Sequence, residues 1–199
     1  MENETIFRII LPILFISFVA HRGYYSRKFS PSAENTIKQR EEKTVPMLAN
    51  LLSIPGLLAV VLYIVYPGWV SWASLPFPLW LRWAGVGMAL AGFLLLQWAH
   101  QALSKNWSDT PRLMKEQTLT VGGPYRWIRH PIYTAFLLIM GSTLFLSANW
   151  LIGGLWIGMT ALEVFSRMQF EEALMTERFG DDYLAYMKRT GRLLPRLIR

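Results

Sequence analysis

Five apolar segments, joined by connections that alternate between basic and free of Lys and Arg, decide what this chain can fold into. They are Ile6–Ala20, Met47–Tyr66, Leu79–His100, Ile132–Ser147 and Trp150–Phe170. A hydrocarbon core of ~30 Å takes about 20 helical residues, within a range of roughly 17–25. The second, third and fifth segments meet that length directly; the first and fourth need flanking residues or little tilt. Strands of these lengths would leave backbone groups unsatisfied in lipid unless closed into a barrel. The expected fold is therefore an all-α integral membrane protein with five transmembrane helices, forming one domain over residues 1–199.

The placement of Lys and Arg orients the bundle. Residues 21–46 carry Arg22, Arg27, Lys28, Lys38, Arg40 and Lys43, whereas 67–78 carry none. Residues 101–131 carry Lys105, Arg112, Lys115, Arg126 and Arg129, and the Ser147–Asn149 turn carries none. The stretch from Arg167 to Arg199 is basic again. By the positive-inside rule the N-terminus is outside and the C-terminus cytoplasmic, which makes this a multi-pass membrane protein. Glu2 and Glu4 leave no basic region ahead of the first apolar run, so a cleaved signal peptide is the weaker reading. Trp69, Trp72, Trp80, Trp83 and Trp150 fall at the outer boundary and Trp98, Trp107 and Trp127 at the inner one, as in an aromatic belt.

The formal charge of +7 would suit a nucleic-acid binder, but here the basic residues punctuate apolar runs and 53% of the chain is hydrophobic. No nucleic-acid partner is expected. With no cysteine, disulfides, iron–sulfur clusters and thiolate zinc sites are excluded, and no metal is implied. Pro55-Gly56 should kink the second helix. Gly87/Ala91 and Gly154/Gly158 have the four-residue spacing that lets membrane helices approach closely. The fourth and fifth spans, joined by Ser147-Ala148-Asn149, must form a helical hairpin, followed by a cytoplasmic helical tail in which Gly180 ends one helix and Asp181 caps the next.

Chemistry concentrates on the cytoplasmic side, in residues 101–131 and 167–199. Pro131 suits the first turn of a helix, which leaves a positive dipole end beside Arg126, Arg129 and His130, with Tyr125 and Tyr133 bracketing it. The same residues would equally serve as snorkelling anchors and belt aromatics. Glu163, Arg167 and Glu171 stand four apart on one stripe, so Glu163–Arg167 reads as a structural pair inside the span. Glu172 is turned about 100° from Glu171. Tyr183, Tyr186 and Met187 share a face of a short tail helix.

Taken in order, Asn106-Trp107-Ser108, Gly123-Pro124-Tyr125, Arg129-His130-Pro131-x-Tyr133, Arg167-x-x-x-Glu171-Glu172 and Phe179-Gly180-x-x-Tyr183-x-x-Tyr186 resemble the isoprenylcysteine carboxyl methyltransferase family of integral membrane methyltransferases, in its small prokaryotic form. The resemblance implies S-adenosylmethionine as cofactor, bound by Tyr125, Arg129, His130, Pro131, Tyr133, Glu171 and Glu172. It implies methyl transfer to a lipophilic acceptor that enters from the bilayer, ending in the carboxylate of an isoprenylcysteine-like substrate. A carboxylate is ionised at neutral pH and needs a positive clamp rather than a base. Arg167 or Arg192 would supply the clamp, and Asn106 would orient the acceptor. An amine acceptor would need a base, for which His130 is the candidate. Ala135 stands where the family often has glycine, so its methyl group is expected to narrow the cofactor pocket. Two other classes compete: a membrane sterol or steroid reductase, which shares a His-Pro-x-Tyr segment and uses NADPH, and a non-catalytic membrane protein on the same scaffold.

Overall fold

The computed structural model describes residues 2–29, 36–39, 44–106, 112–114 and 117–196. Each apolar segment becomes one long helix: α1 (Glu2–Phe29), α2 (Thr44–Val65), α3 (Leu79–Leu103), α4 (Pro131–Ser147) and α5 (Trp150–Phe179), followed by the short α6 (Asp181–Arg189). Short 3-10 turns fill the connections, and two small strands, β1 (Thr36–Gln39) and β2 (Arg112–Met114), pair antiparallel. That ladder joins the two basic loops of the sequence and lies outside the five expected spans. Trp107, Ser108, Lys115 and the side chains of Lys38, Arg40 and Lys43 fall outside the described residues.

Among the described residues, Glu4–Phe29 and Leu79–Leu103 are long and apolar enough to cross a membrane, while Ser53–Val65 and Pro131–Ser147 are apolar but shorter. The bundle is apolar on its outside as well as inside. Ile16 is 69% exposed, Leu94 72% and Trp69 74%, an outer surface that water would not stabilise but lipid would. Inside, Phe7, Leu11, Leu96, Ile139, Leu146 and Ile152 are fully buried in one core.

The close helix contacts use different glycines from those the spacing suggested. A Cβ on Gly92 would come within 2.7 Å of Ile139 Cγ1 and 3.2 Å of the Ala135 carbonyl, and one on Gly85 within 2.6 Å of Phe145 Cβ. Gly87, Gly154 and Gly158 have no such neighbour within 4 Å, so they face away from the packing seams. Ala135, expected at the cofactor pocket, is instead fully buried in this α3–α4 seam. Pro55 lies inside α2, as does Pro12 inside α1.

The hairpin closes on Asn149. Its Oδ1 accepts from the N–H groups of Leu151 and Ile152, capping α5, while its Nδ2 donates to the Val70 carbonyl at 2.8 Å. One buried amide thereby ties the α4–α5 turn to the α2–α3 connection. At the far end Gly180 terminates α5 and is itself the cap of α6; Asp181 is the first residue of α6 rather than its side-chain cap.

Candidate active site

Three stretches that lie far apart in sequence meet at the α6 end of the bundle. The 3-10 turn Gly123–Arg126 leads into Trp127–His130, and α4 starts at Pro131 as its missing N–H allows. The tail after α6 runs alongside this segment. Gly191 N–H donates to the Trp127 carbonyl, and the Gly191 and Arg192 carbonyls accept from the N–H groups of Arg129 and His130. Gly191 has no space for a side chain, because a Cβ there would lie 1.8 Å from the Leu194 carbonyl oxygen. Tyr186 donates to the Tyr125 carbonyl at 2.7 Å, and Thr134 Oγ1 to the Leu193 carbonyl at 2.7 Å. The tail is thus stitched over the motif by main-chain bonds.

At the centre of the stitching is Glu172, 5% exposed. It accepts from Arg129 Nε at 3.0 Å and from Arg192 Nε and Nη2, with His130 Nε2 at 3.3 Å. Burial opposes its ionisation, but the hydrogen bonds from His130, Arg192 and Arg129 prevail and hold the carboxyl at about 2. Arg129 also donates to the carbonyls of Met187 and Thr190. Glu172 is therefore the acceptor that locks the tail down. It does not line the cleft.

Glu171, one residue away, does. It accepts from the Tyr133 hydroxyl and stands 3.5 Å from His130 Nδ1. His130 has a carboxylate at each ring nitrogen. Burial alone would lower its pKa, but Glu171 and Glu172 together raise it. With a carboxylate within 3.5 Å of each ring nitrogen, neither nitrogen is turned to an acceptor in the cleft, which does not suit the general-base role considered for an amine acceptor.

The cleft itself, about 150 Å³ and open to the surroundings, has aromatic walls from Tyr125, Tyr133, Tyr183 and Tyr186 and polar groups from Asn106, Gln117, Thr118 and Thr120. Arg129, His130, Arg167 and Glu171 reach it, with an apolar side of Ile132, Phe136, Leu174 and Met175. Burial drives the Tyr125 hydroxyl well above its usual range and pushes Tyr186 up to about 12, so both remain neutral donors. Pro131 begins α4 beneath the cleft, and Arg192 stands behind it on Glu172; neither is among the lining residues.

Asn106 and Arg167 both reach the cleft, but each has a structural partner. Asn106 Nδ2 donates to Thr118 Oγ1 and Thr120 Oγ1 at 3.0 Å, pinning the 117–120 stretch to the end of α3. Arg167 pairs with Glu163 at 2.9 Å, one turn back on α5 as the spacing suggested. Two lining residues have no local motif to reveal them. Arg22, on α1, lies over the Phe136 ring at 5.4 Å. His100, at the end of α3, directs Nδ1 to the Leu96 carbonyl at 2.8 Å. Only packing of α1 and α3 against α4 brings them to the motif.

Comparison with known proteins places these residues in context. The profile of the isoprenylcysteine carboxyl methyltransferase (ICMT) family matches residues 85–177. Over 129 residues, 63% of this chain and 45% of the relative, the chain is 30% identical to protein-S-isoprenylcysteine O-methyltransferase of Rattus norvegicus. It is 27% identical to methanethiol S-methyltransferase of Mycobacterium tuberculosis over 188 residues, 87% of this chain and 75% of that enzyme. The solved structure of the eukaryotic intramembrane Ras methyltransferase ICMT shares the fold with a TM-score of 0.55 at 18% identity, covering 78% of this chain and 54% of the other. The chain thus spans about half the length of its isoprenylcysteine-methylating relatives.

Proposed function

We propose that this chain, whose residues 85–177 match the isoprenylcysteine carboxyl methyltransferase family, is an S-adenosylmethionine-dependent methyltransferase of a lipophilic carboxylate. One observation carries the reading: Tyr125, Arg129, His130, Tyr133, Arg167, Glu171, Tyr183 and Tyr186 converge on a single cleft with tyrosine walls, a carboxylate at its edge and an apolar side. The cofactor supplies an electrophilic methyl group on a sulfonium. Its amino group calls for a carboxylate that reaches the cleft, and Glu171 is that group; Glu172 is consumed by Arg129 and Arg192. The tyrosine faces suit both an adenine ring and a sulfonium cation.

Arg22 is the cation that fits the acceptor. Arg129, Arg192 and Arg167 each pair with a carboxylate, whereas Arg22 meets the cleft beside Phe136. It would draw an ionised carboxylate into place while Ile132 and Phe136 exclude water, so that orientation and desolvation supply the catalysis. In this reading the protein crosses the membrane five times with its N-terminus outside. The cleft opens to the cytoplasm, and the apolar tail of the acceptor enters between helices from the bilayer.

A small neutral thiol is a second acceptor class, favoured by the longer alignment with the methanethiol enzyme. A thiol, unlike a carboxylate, must lose a proton first. His100, which lines the cleft, is the residue this reading assigns to accept that proton.

The test is binding and turnover by purified protein in detergent. S-adenosylhomocysteine should bind saturably and NADPH should not, with Glu171→Gln weakening the former roughly 10- to 100-fold, as expected for a lost charged hydrogen bond. Arg22→Gln should raise KM for a farnesyl-cysteine carboxylate by a similar factor with little effect on S-adenosylhomocysteine. Preference for NADPH would move the protein to the reductases, and a KM unchanged in Arg22→Gln would remove the carboxylate clamp.

A further inference from the structure

The opposite end of the bundle holds a charge that the cleft chemistry leaves unused. There, beneath the α2–α3 connection and the α4–α5 turn, Glu4 and Arg8 of α1, Tyr63 of α2 and Ser74 line a cavity of about 240 Å³, several times what one water needs. Arg82 of α3, 5% exposed, lies behind its wall. Arg82 Nη1 pairs with Glu4. Its Nη2 donates to the Tyr63 hydroxyl at 3.0 Å and to the Leu146 carbonyl at 2.7 Å, and its guanidinium carbon lies 4.0 Å from the centre of the Phe7 ring. One carboxylate thus answers one guanidinium.

Arg8 is a second cation on the same cavity, and among the described residues no second carboxylate pairs with it. Its guanidinium stands 5.7 Å from the centre of the Tyr63 ring, and its Nε is buried without a hydrogen-bond partner. A cation at this depth is costly unless paired. It also lies at the end of the bundle where the connections carry no Lys or Arg, against the bias that orients the rest of the chain. Low-dielectric surroundings strengthen its pull on an anion, and a guanidinium matches phosphate oxygens in bidentate fashion. Trp69, Trp72 and Trp80 stand exposed around this end, which is the depth of lipid headgroups in an aromatic belt.

We infer that Arg8 binds a phosphate-class oxyanion in this cavity. The Ser74 hydroxyl supplies a further donor, and Glu4, neutralised by Arg82, bounds the site. The oxyanion is either the phosphodiester of a lipid headgroup or free phosphate; the chemistry is the same. The inference is independent of what the cleft at the other end binds.

The experiment uses the full chain, delipidated in neutral detergent, with the melting temperature read during titration of three probes. These are dioleoyl-phosphatidylglycerol, dioleoylglycerol (the same acyl chains without phosphate) and inorganic phosphate. Phosphatidylglycerol should raise the melting temperature saturably and dioleoylglycerol should not. Arg8→Gln should weaken that response roughly tenfold or more, and Arg8→Lys should restore part of it. In the absence of any probe Arg8→Gln should melt no lower than the native protein, because it removes an unpaired cation, whereas Arg82→Gln should melt lower. Saturation by inorganic phosphate as well would identify a free anion; response to the lipid alone would identify the headgroup. An equal response to dioleoylglycerol, an Arg8→Gln titration that matches the native one, or Arg8→Gln protein that melts lower without probe would overturn the inference.

Discussion

Two adjacent glutamates show how a single residue's turn about a helix separates its role from its neighbour's. Glu171 and Glu172 read alike as letters, but one faces the cleft and the other faces the tail. Removing Glu172 leaves Arg129, which is 9% exposed, as an uncompensated buried cation. Glu172→Ala should therefore cost roughly 3–5 kcal/mol in thermal or denaturant melts. Arg192→Ala should cost about 1 kcal/mol or less, since that side chain is 49% exposed and solvent screens it. The same cluster makes the tail's closure depend on pH. The folded-state pKa of Glu172 is depressed to about 2, so its contribution is complete above the unfolded value of about 4.3 and fades as the pH falls toward 2. His130 is raised, so its contribution is complete below about 6.5 and is lost as the pH rises through its folded value. Hydrogen exchange in α6 should be slowest between roughly pH 4.5 and 6.5 after correction for intrinsic rates, and Glu171→Gln should shrink the loss on the alkaline side.

At the level of elements, helix length and polarity were legible, whereas the contact faces were not. Small residues at four-residue spacing occur on several sides of α3 and α5, and only the neighbour's position selects among them. The seam runs through Gly85 and Gly92, opposite Phe145 and Ile139. Gly92→Leu should overpack it, costing about 1–3 kcal/mol or more. Gly87→Leu, with open space at its Cβ, should stay within about 0.5 kcal/mol. Melting temperatures of the two variants side by side decide it, and equal losses would contradict the seam. The α5–α6 junction followed the sequence in outline, with Gly180 as the break, but Asp181 serves in the first turn and caps nothing. Asn149 was visible only as a turn residue; its tie to Val70 depends on a connection 79 residues earlier in the chain.

For the whole molecule, the absence of cysteine provides a direct test of orientation. Ser71→Cys and Ala185→Cys would each place one thiol at an exposed position, at opposite ends of the bundle. A membrane-impermeant maleimide applied to intact cells should label the first and reach the second only after lysis; the reverse pattern would invert the proposed topology. The physical basis is the K/R bias of the loops, which is a property of the chain before it folds. For that reason the five helical segments, their boundaries near Leu79, Pro131 and Trp150, and the motif residues could be read from sequence alone. Apolar length and turn chemistry act locally. What only the tertiary structure decided is which charges are spent and which remain. Glu172 is neutralised by the tail, Glu171 is turned toward the cleft, Arg22 arrives there from α1, and Arg8 stands beside a cavity whose one carboxylate belongs to Arg82. Pairing of that kind depends on helices that meet only after the bundle has packed, so no spacing along the chain encodes it.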